Sequence, residues 1–386
     1  MSRIIVDSLR GNSASSDAIS LANDGTCTAN ITNNLSNRRI NQNGQMSVWQ
    51  RGTSRTTSGY GPDRYYQKFS DAGSITHTIS QQSLTSSDTP YSLGFRYYQR
   101  HALSGAGTAN ANASLYTQHT IEAQDMAQSG WDYTSSSSYL SISFWVRVST
   151  SQKFYLNLRT RDGTSQAYNI PFTPSANTWT KVTAQVPGNS NLQFDTDNDK
   201  GLHLNFYKFL GTDDTGGSSE NAWAAYSGTA KVPDMASTWL TAGASTFDLT
   251  GLQVEVGSNS TDYEFRSYGQ ELALCQRYYF KLTGDDSDFL LSGFTYSASL
   301  YYFIVDFPQV MRAFPSYTGS ATAARFFTDN PSQDFNLNTL TIAAQATTTY
   351  PSSMWLHADQ GGAGVASGGV LQPQNAVGTL EFSSEL

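Results

Sequence analysis

The sequence predicts an all-β chain built as two successive sandwich-like units, on three observations. Charged residues are 14% of the 386, against roughly 25% in ordinary soluble domains, while aromatics reach 13%. Ser, Thr, Asn, Gln and Gly fill the difference, a mixture that favours short strands and polar turns over helices. Apolar residues also recur at alternate positions in several segments, and polar loops carrying Pro171, Pro174, Pro187 and several Gly separate them.

Along the chain, residues 1–40 hold sparse apolar positions (Ile4, Val6, Leu9, Ile19, Leu21, Ile31, Leu35) between turn signals such as GNSASS and NDG. So little apolar surface makes no core within one copy. The segment reads either as a disordered tail or as one ordered against sister copies or a larger assembly. Residues 41–265 form the first unit, opened by NQNGQMSVWQRGTS. YLSISFWVRV places Leu140, Ile142, Phe144, Val146 and Val148 on one face, KFYLNLRT does so with Phe154, Leu156 and Leu158, and GLHLNFYKF with Leu202, Leu204 and Phe206. In TFDLTGLQVEVG the apolar parity changes from Phe247 and Leu249 to Leu252, Val254 and Val256, which predicts a β-bulge at Gly251. Residues 266–280 space Leu272, Cys275 and Tyr279 as a short connecting helix, and 281–386 return to strands, with an apolar run from Leu300 to Val305 and later segments TLTIAAQA, SSMWLHAD and GTLEFSSEL. This last stretch is long enough for its own core.

Several function classes find no support. The formal charge is −8 and no basic block occurs, so no nucleic-acid partner is expected. No apolar run approaches the ~18 residues of a membrane span, and the first residues lack a signal-peptide core. No membrane insertion is expected, and synthesis in a cytoplasm is. The two cysteines, Cys27 and Cys275, read as buried thiols. The five histidines show no zinc-site spacing, and neither a G-x-S-x-G elbow nor a P-loop is present. Asp285, Asp286 and Asp288 read as a solvated turn, and no enzyme is expected. DTDNDKG alternates Asp195, Asp197 and Asp199, but Lys200 and Phe206 stand where a calcium-binding EF-hand loop needs Gly and Glu.

Alternation also fixes what faces away from the core: Trp145 and Arg147 on the first strand, Tyr155, Asn157 and Arg159 on the second, His203, Asn205 and Tyr207 on the third. If these strands share a sheet, they make one surface of rings, amides and guanidinium groups, which suits the flat C–H faces and hydroxyls of a sugar. The other reading has the same face covered by the 208–245 loop or by a neighbouring subunit.

Read as an ordered set, NRRINQNGQMSVWQRGTS, GPDRYY, QHTIEAQDM, LSISFWVRVS, NTWTKVTAQVPG, DTDNDKGLHLNF, LTGLQVEVGSNSTDYEFRSYGQELALCQRYY and FPQVMRAFP resemble a family of bacteriophage virion proteins, the tail fibres and related appendages. Asn41-Gln42-Asn43-Gly44 departs from the family's usual Ile-Asn-Gly spacing. The resemblance implies a jelly-roll sandwich like those of carbohydrate-binding modules. It implies a homotrimer on the virion, docked to other virion proteins through residues 1–40 and attaching to host-surface glycan. It also implies a structural calcium, for which Glu122 and Asp248 are the candidate ligands. The alternative is a head fibre, capsid decoration or tail scaffold without a ligand.

Overall fold

The computed structural model describes residues 6–15, 17–21, 23, 27–29, 37–285, 288–297, 300–319, 324–328, 335–337, 341–342, 351–359, 368–373 and 378–386. The chain is all-β. Ser8–Leu9, Ile19–Leu21 and Cys27–Ala29 form a small antiparallel sheet in the N-terminal segment. The Cys27 side chain lies outside the described residues, as does much of TLTIAAQA, of which Thr341–Ile342 is a strand.

Two sheets then face each other. The front sheet runs in the order Thr180–Pro187, Tyr139–Val148, Thr246–Val256, Tyr97–Leu103, His77–Ser83, Ser54–Arg55. The back sheet runs Trp223–Ala225, Gln166–Phe172, Phe154–Thr160, Lys200–Leu210, Ser114–Glu122, Tyr65–Ser70, Gly59–Tyr60. The alternating apolar positions do what their period requires. Leu140, Ile142, Phe144 and Val146 of the front sheet and Leu156, Leu158, Leu202, Leu204 and Phe206 of the back sheet are buried in one core. Phe144 meets Phe206 edge to face across the layers at 5.0 Å.

The parity change at Gly251 is a bulge. The register between Tyr139–Val148 and Thr246–Val256 shifts between Ser143 and Trp145. Gly251 sits at φ +67, and a Cβ there would lie 2.8 Å from the Phe95 ring and 3.2 Å from the Trp145 indole. Only glycine accommodates both the backbone and the rings.

The opening and closing blocks of the first unit meet in space. The Ile40 amide donates to the Val254 carbonyl, and the Asn41 side chain accepts from Val254 N and donates to Leu252 O. Glu264 accepts from the amides of Asn37, Arg38 and Arg39. At the unusual Asn-Gln-Asn-Gly turn, Asn43 (φ 50) accepts from Ser47 N and Val48 N. A Cβ on Gly44 would lie 2.0 Å from the Leu252 carbonyl, so this turn packs directly on the closing strand. Asn37 to Ile40 are thus hydrogen-bonded to Glu264 and Val254 of the closing block.

The helix is Tyr268–Gln276, opened by a capping box between Ser267 and Gln270. Its buried face is Glu271 and Cys275 rather than Leu272, because Glu271 forms a buried ion pair with Arg39 and accepts from Asn43 N. Burial opposes the Arg39 charge, but Tyr263 and Glu271 outweigh it and raise its pKa. The helix is tied to the opening of the first unit through Arg39 and Asn43.

The C-terminal unit has a small sheet, Tyr279–Gly284, Gly378–Ser383, Ser316–Gly319, and a larger one with seven strands among the described residues. In the larger sheet, Leu291–Ser297, Leu300–Asp306 and Ser353–Asp359 lie side by side. Tyr301, Phe303, Val305, Met354, Leu356 and Leu371 point into its core, and Phe382 of the small sheet meets them. Arginines fasten the two units together. Arg51 and Arg64 pair with Glu385, and Arg312 donates to the Ser384 and Asn198 carbonyls. On the first unit's side of this joint, Arg277 at the end of the helix holds Glu122 through two bonds of 2.8 and 2.9 Å. Among the described residues, no helix is long and apolar enough to cross a membrane.

Candidate functional site

The structure divides the expected sugar-facing residues between two sheets. Trp145 and Arg147 lie on the front sheet, whereas Tyr155, Asn157, Arg159, His203, Asn205 and Tyr207 lie on the back sheet. The 149–153 connection passes from one layer to the other instead of closing a hairpin, so the single surface does not form.

On the back sheet these residues are covered. Gln118 donates to Asn205 (2.8 Å) and to His203 Nδ1 (3.0 Å), Asn205 donates to Asn157 (3.2 Å), and Asn157 donates to Asn169 (2.7 Å). The 211–235 chain closes over this amide ladder. Tyr155 donates to Glu220 (2.8 Å), Asn157 to the Lys231 carbonyl (3.3 Å), and Val232 is buried against Tyr155 and Tyr207. The Tyr155 hydroxyl first, and then Lys153, hold the Glu220 carboxyl below its usual range. The Arg159 guanidinium lies 3.5 Å from the centre of the Tyr226 ring. Of the two readings of this face, cover by the chain's own loop is the one found.

Arg147 is likewise engaged. It bonds Asp88 (2.8 Å) and Asp248 (2.9 Å) and lies over the Trp179 ring at 4.7 Å. Trp179 donates to the same Asp88 carboxylate, and Arg100 holds Asp248 through two bonds of 2.8 Å. Burial would raise the Asp88 pKa, but hydrogen bonds from Thr85 and Trp179 and the Arg147 charge hold it down. Glu122 is held down in the same way, its burial outweighed by Arg277 and Tyr278. Glu122 and Asp248 thus belong to different sheets and share no partner, and each is neutralised by guanidinium groups. Among the described residues no group of three or more His, Cys, Asp or Glu comes together as a metal site.

Trp145 is the one expected residue at an open cleft. The Gly251 bulge brings its indole beside Phe95, and Phe95, Tyr263 and Phe265 form a wall of mutually tilted rings with centroids 4.8–5.1 Å apart. The cleft has a volume of about 200 Å³ and is completed by Ser143, Lys181 and Asp262. Phe265 and Leu93 are 45% and 52% exposed at its lip. Lys181 comes from the neighbouring strand, directly across from Trp145. Aromatic, lysine, aspartate and serine residues therefore line one concave surface, the composition of a small-ligand site. Sequence alternation located Trp145 but not Lys181, Asp262 or Phe265. Their signal is partial: TKVTAQV has a readable parity that turns Lys181 outward, but its register against Trp145 is set by the fold.

No protein-family model matches the sequence, and no curated protein does. Among solved structures, the chain is similar to the enzymatically active domain of tailspike protein 4 of bacteriophage CBA120, at 12% identity and a TM-score of 0.28, over 56% of this chain and 22% of that one. It is similar to a family 11 carbohydrate-binding module from Clostridium thermocellum, solved with a β-1,3-1,4-mixed-linked tetrasaccharide, at 9% identity and 0.26, over 54% of this chain and 98% of that one. The CBM22-1-CBM22-2 tandem domain from Paenibacillus barcinonensis Xyn10C gives 9% and 0.26, over 86% of this chain and 97% of that one. At these identities and TM-scores the similarities carry no argument, and the sandwich stands on its own strand register.

Proposed function

We propose that this chain is a phage virion appendage subunit that attaches to a host-surface glycan, and that the Trp145 cleft takes one sugar residue. The observation that carries the reading is the convergence of Trp145, Phe265, Lys181, Ser143 and Asp262 on one small cleft. A pyranose offers a C–H face for the indole and hydroxyls for the ammonium, carboxylate and serine. The virion role draws on the ordered sequence blocks, two of which, the opening and the closing one, are joined by the Asn41 and Glu264 hydrogen bonds. Residues 1–40 then serve for docking or for winding with sister copies, and the assembly is a homotrimer. A single cleft of this size binds weakly, whereas linked copies gain roughly 10²–10⁴ in avidity.

The reading is a binding one, not a catalytic one. Its test is a glycan array probed with the full-length protein and with Trp145→Ala. Binding that the substitution removes supports it, and no binding at any glycan density favours the scaffold alternative. That alternative draws on the covered back sheet, whose polar groups satisfy one another.

A further inference from the structure

The larger C-terminal sheet carries an aromatic surface on the face opposite its core. Strand alternation sends Tyr301, Phe303 and Val305 inward, and therefore Tyr302 and Ile304 outward. By the same parity Phe294 and Tyr296 of Leu291–Ser297, and Trp355 and His357 of Ser353–Asp359, share that outer face. Register places Phe294, Tyr302 and His357 in one row across three strands, with Ile304 beside Trp355 in the next. The rings form one cluster around Tyr302: Phe294 stacks on it at 6.0 Å, while Tyr296 and Trp355 meet it edge-on at 5.2 and 5.8 Å. The surface is exposed at its rim, where Trp355 and Ile304 are each 39% exposed and Tyr296 61%, whereas Tyr302 at its centre is 4% exposed. An apolar sheet face left open in this way marks a binding surface.

Its chemistry narrows the occupant. Beside the rings lies a groove of about 460 Å³, lined by Leu290, Ser292, Phe294, Ile304 and Asp306. No Lys or Arg stands among these groove and ring positions, and Asp306 is the one charge there. Among the described residues, neither the Trp355 indole N–H nor the Tyr296 hydroxyl nor the Asp306 carboxylate has a hydrogen-bond partner within the protein. A purely apolar partner would leave these groups unmatched, at a cost for each one buried. A polyanion would meet Asp306 with no cation to offset it. A neutral sugar chain satisfies both conditions, with C–H faces on the rings and hydroxyls for the polar groups.

We propose that this face is a second carbohydrate site, on which a neutral glycan lies across Trp355 and Tyr296, with Ser292 and Asp306 meeting its hydroxyls. It extends the glycan-binding reading to the other unit but uses none of the residues of the Trp145 cleft. The test is affinity gel electrophoresis of the full-length protein through hydroxyethylcellulose, galactomannan, dextran and, as the charged comparison, alginate. Wild type, Trp145→Ala, Trp355→Ala and Trp355→Phe are compared, with sedimentation equilibrium on each. At least one neutral polymer retards the wild type and alginate does not. Trp355→Ala weakens that retardation roughly tenfold, Trp355→Phe retains most of it, and all four proteins keep one oligomeric state. Two results overturn the proposal: retardation by the neutral polymers that is absent or indifferent to Trp355→Ala, or a change of oligomeric state on that substitution, which would make the face a contact between copies. A loss confined to Trp145→Ala would uphold the front-sheet cleft alone. A loss confined to Trp355→Ala would do the reverse.

Discussion

Individual side chains divide into those that a binding role leaves available and those that the fold consumes. Arg147, Tyr155, Asn157 and Asn205 have the right chemistry for a sugar, yet each is closed by partners within the chain. The core also holds a polar chain that alternation does not reveal. His77 Nε2 and His101 Nδ1 share a hydrogen bond of 2.7 Å, His101 Nε2 meets the Thr117 hydroxyl at 3.0 Å, and buried Lys208 donates to the same hydroxyl at 2.7 Å. Burial first, and then Lys208, push the His77 imidazole down to about 3 from an ordinary 6.5. His101 and His119 are depressed chiefly by burial as well, and burial pushes His203 to about 3. The folded state therefore keeps these rings neutral, while the unfolded chain protonates them below about pH 6.5. Stability is full above that pH and falls as the pH drops towards 3, by at most about 1.4 kcal/mol per pH unit for each such histidine. Urea midpoints taken at pH 7.5 and 4.5 check this. The wild-type midpoint drops at the lower pH, and His77→Gln reduces the drop. Equal midpoints at the two pH values would contradict it.

At the scale of elements, the bulge in Thr246–Val256 is the feature that makes a site. It restores the inward direction of Leu252 and Val254 and lets Phe95 and Trp145 close over Gly251. Gly251→Val strains the left-handed backbone and drives a side chain into both rings. The expected outcome is a lower melting temperature together with loss of glycan binding. Gly269→Ala, in the helix, where a Cβ meets nothing within 4 Å, leaves binding intact. Unchanged binding by Gly251→Val would show that the cleft does not depend on the bulge. This bulge was legible in the sequence because a strand that keeps one face buried while its apolar parity changes must carry an extra residue, and a glycine marks the place. Strand facing was legible for a related reason, as Ile142, Leu156 and Leu204 illustrate. Sheet membership was not. A period of two says which face is buried but not in which layer the strand lies, and the crossing at 149–153 has no signature to separate it from a hairpin. The helix at 268–276 was legible as a helix. Its role was not, because its buried contact is the ion pair from Arg39 to Glu271, more than two hundred positions apart in the chain.

Across the whole molecule, two sandwich-like units are joined by Arg51 and Arg64, which reach Glu385, and by Arg312, which reaches the Asn198 carbonyl. Long-range pairs of this kind leave no local pattern in the sequence. The central claim is that the front-sheet cleft, and not the covered back sheet, receives the host glycan. Saturation-transfer NMR with the strongest-binding glycan from the array tests it most directly, comparing wild type with Trp145→Ala and Tyr155→Phe. Transfer to the sugar that disappears in Trp145→Ala and persists in Tyr155→Phe is the predicted result. Undiminished transfer in Trp145→Ala, or its loss in Tyr155→Phe, would contradict it.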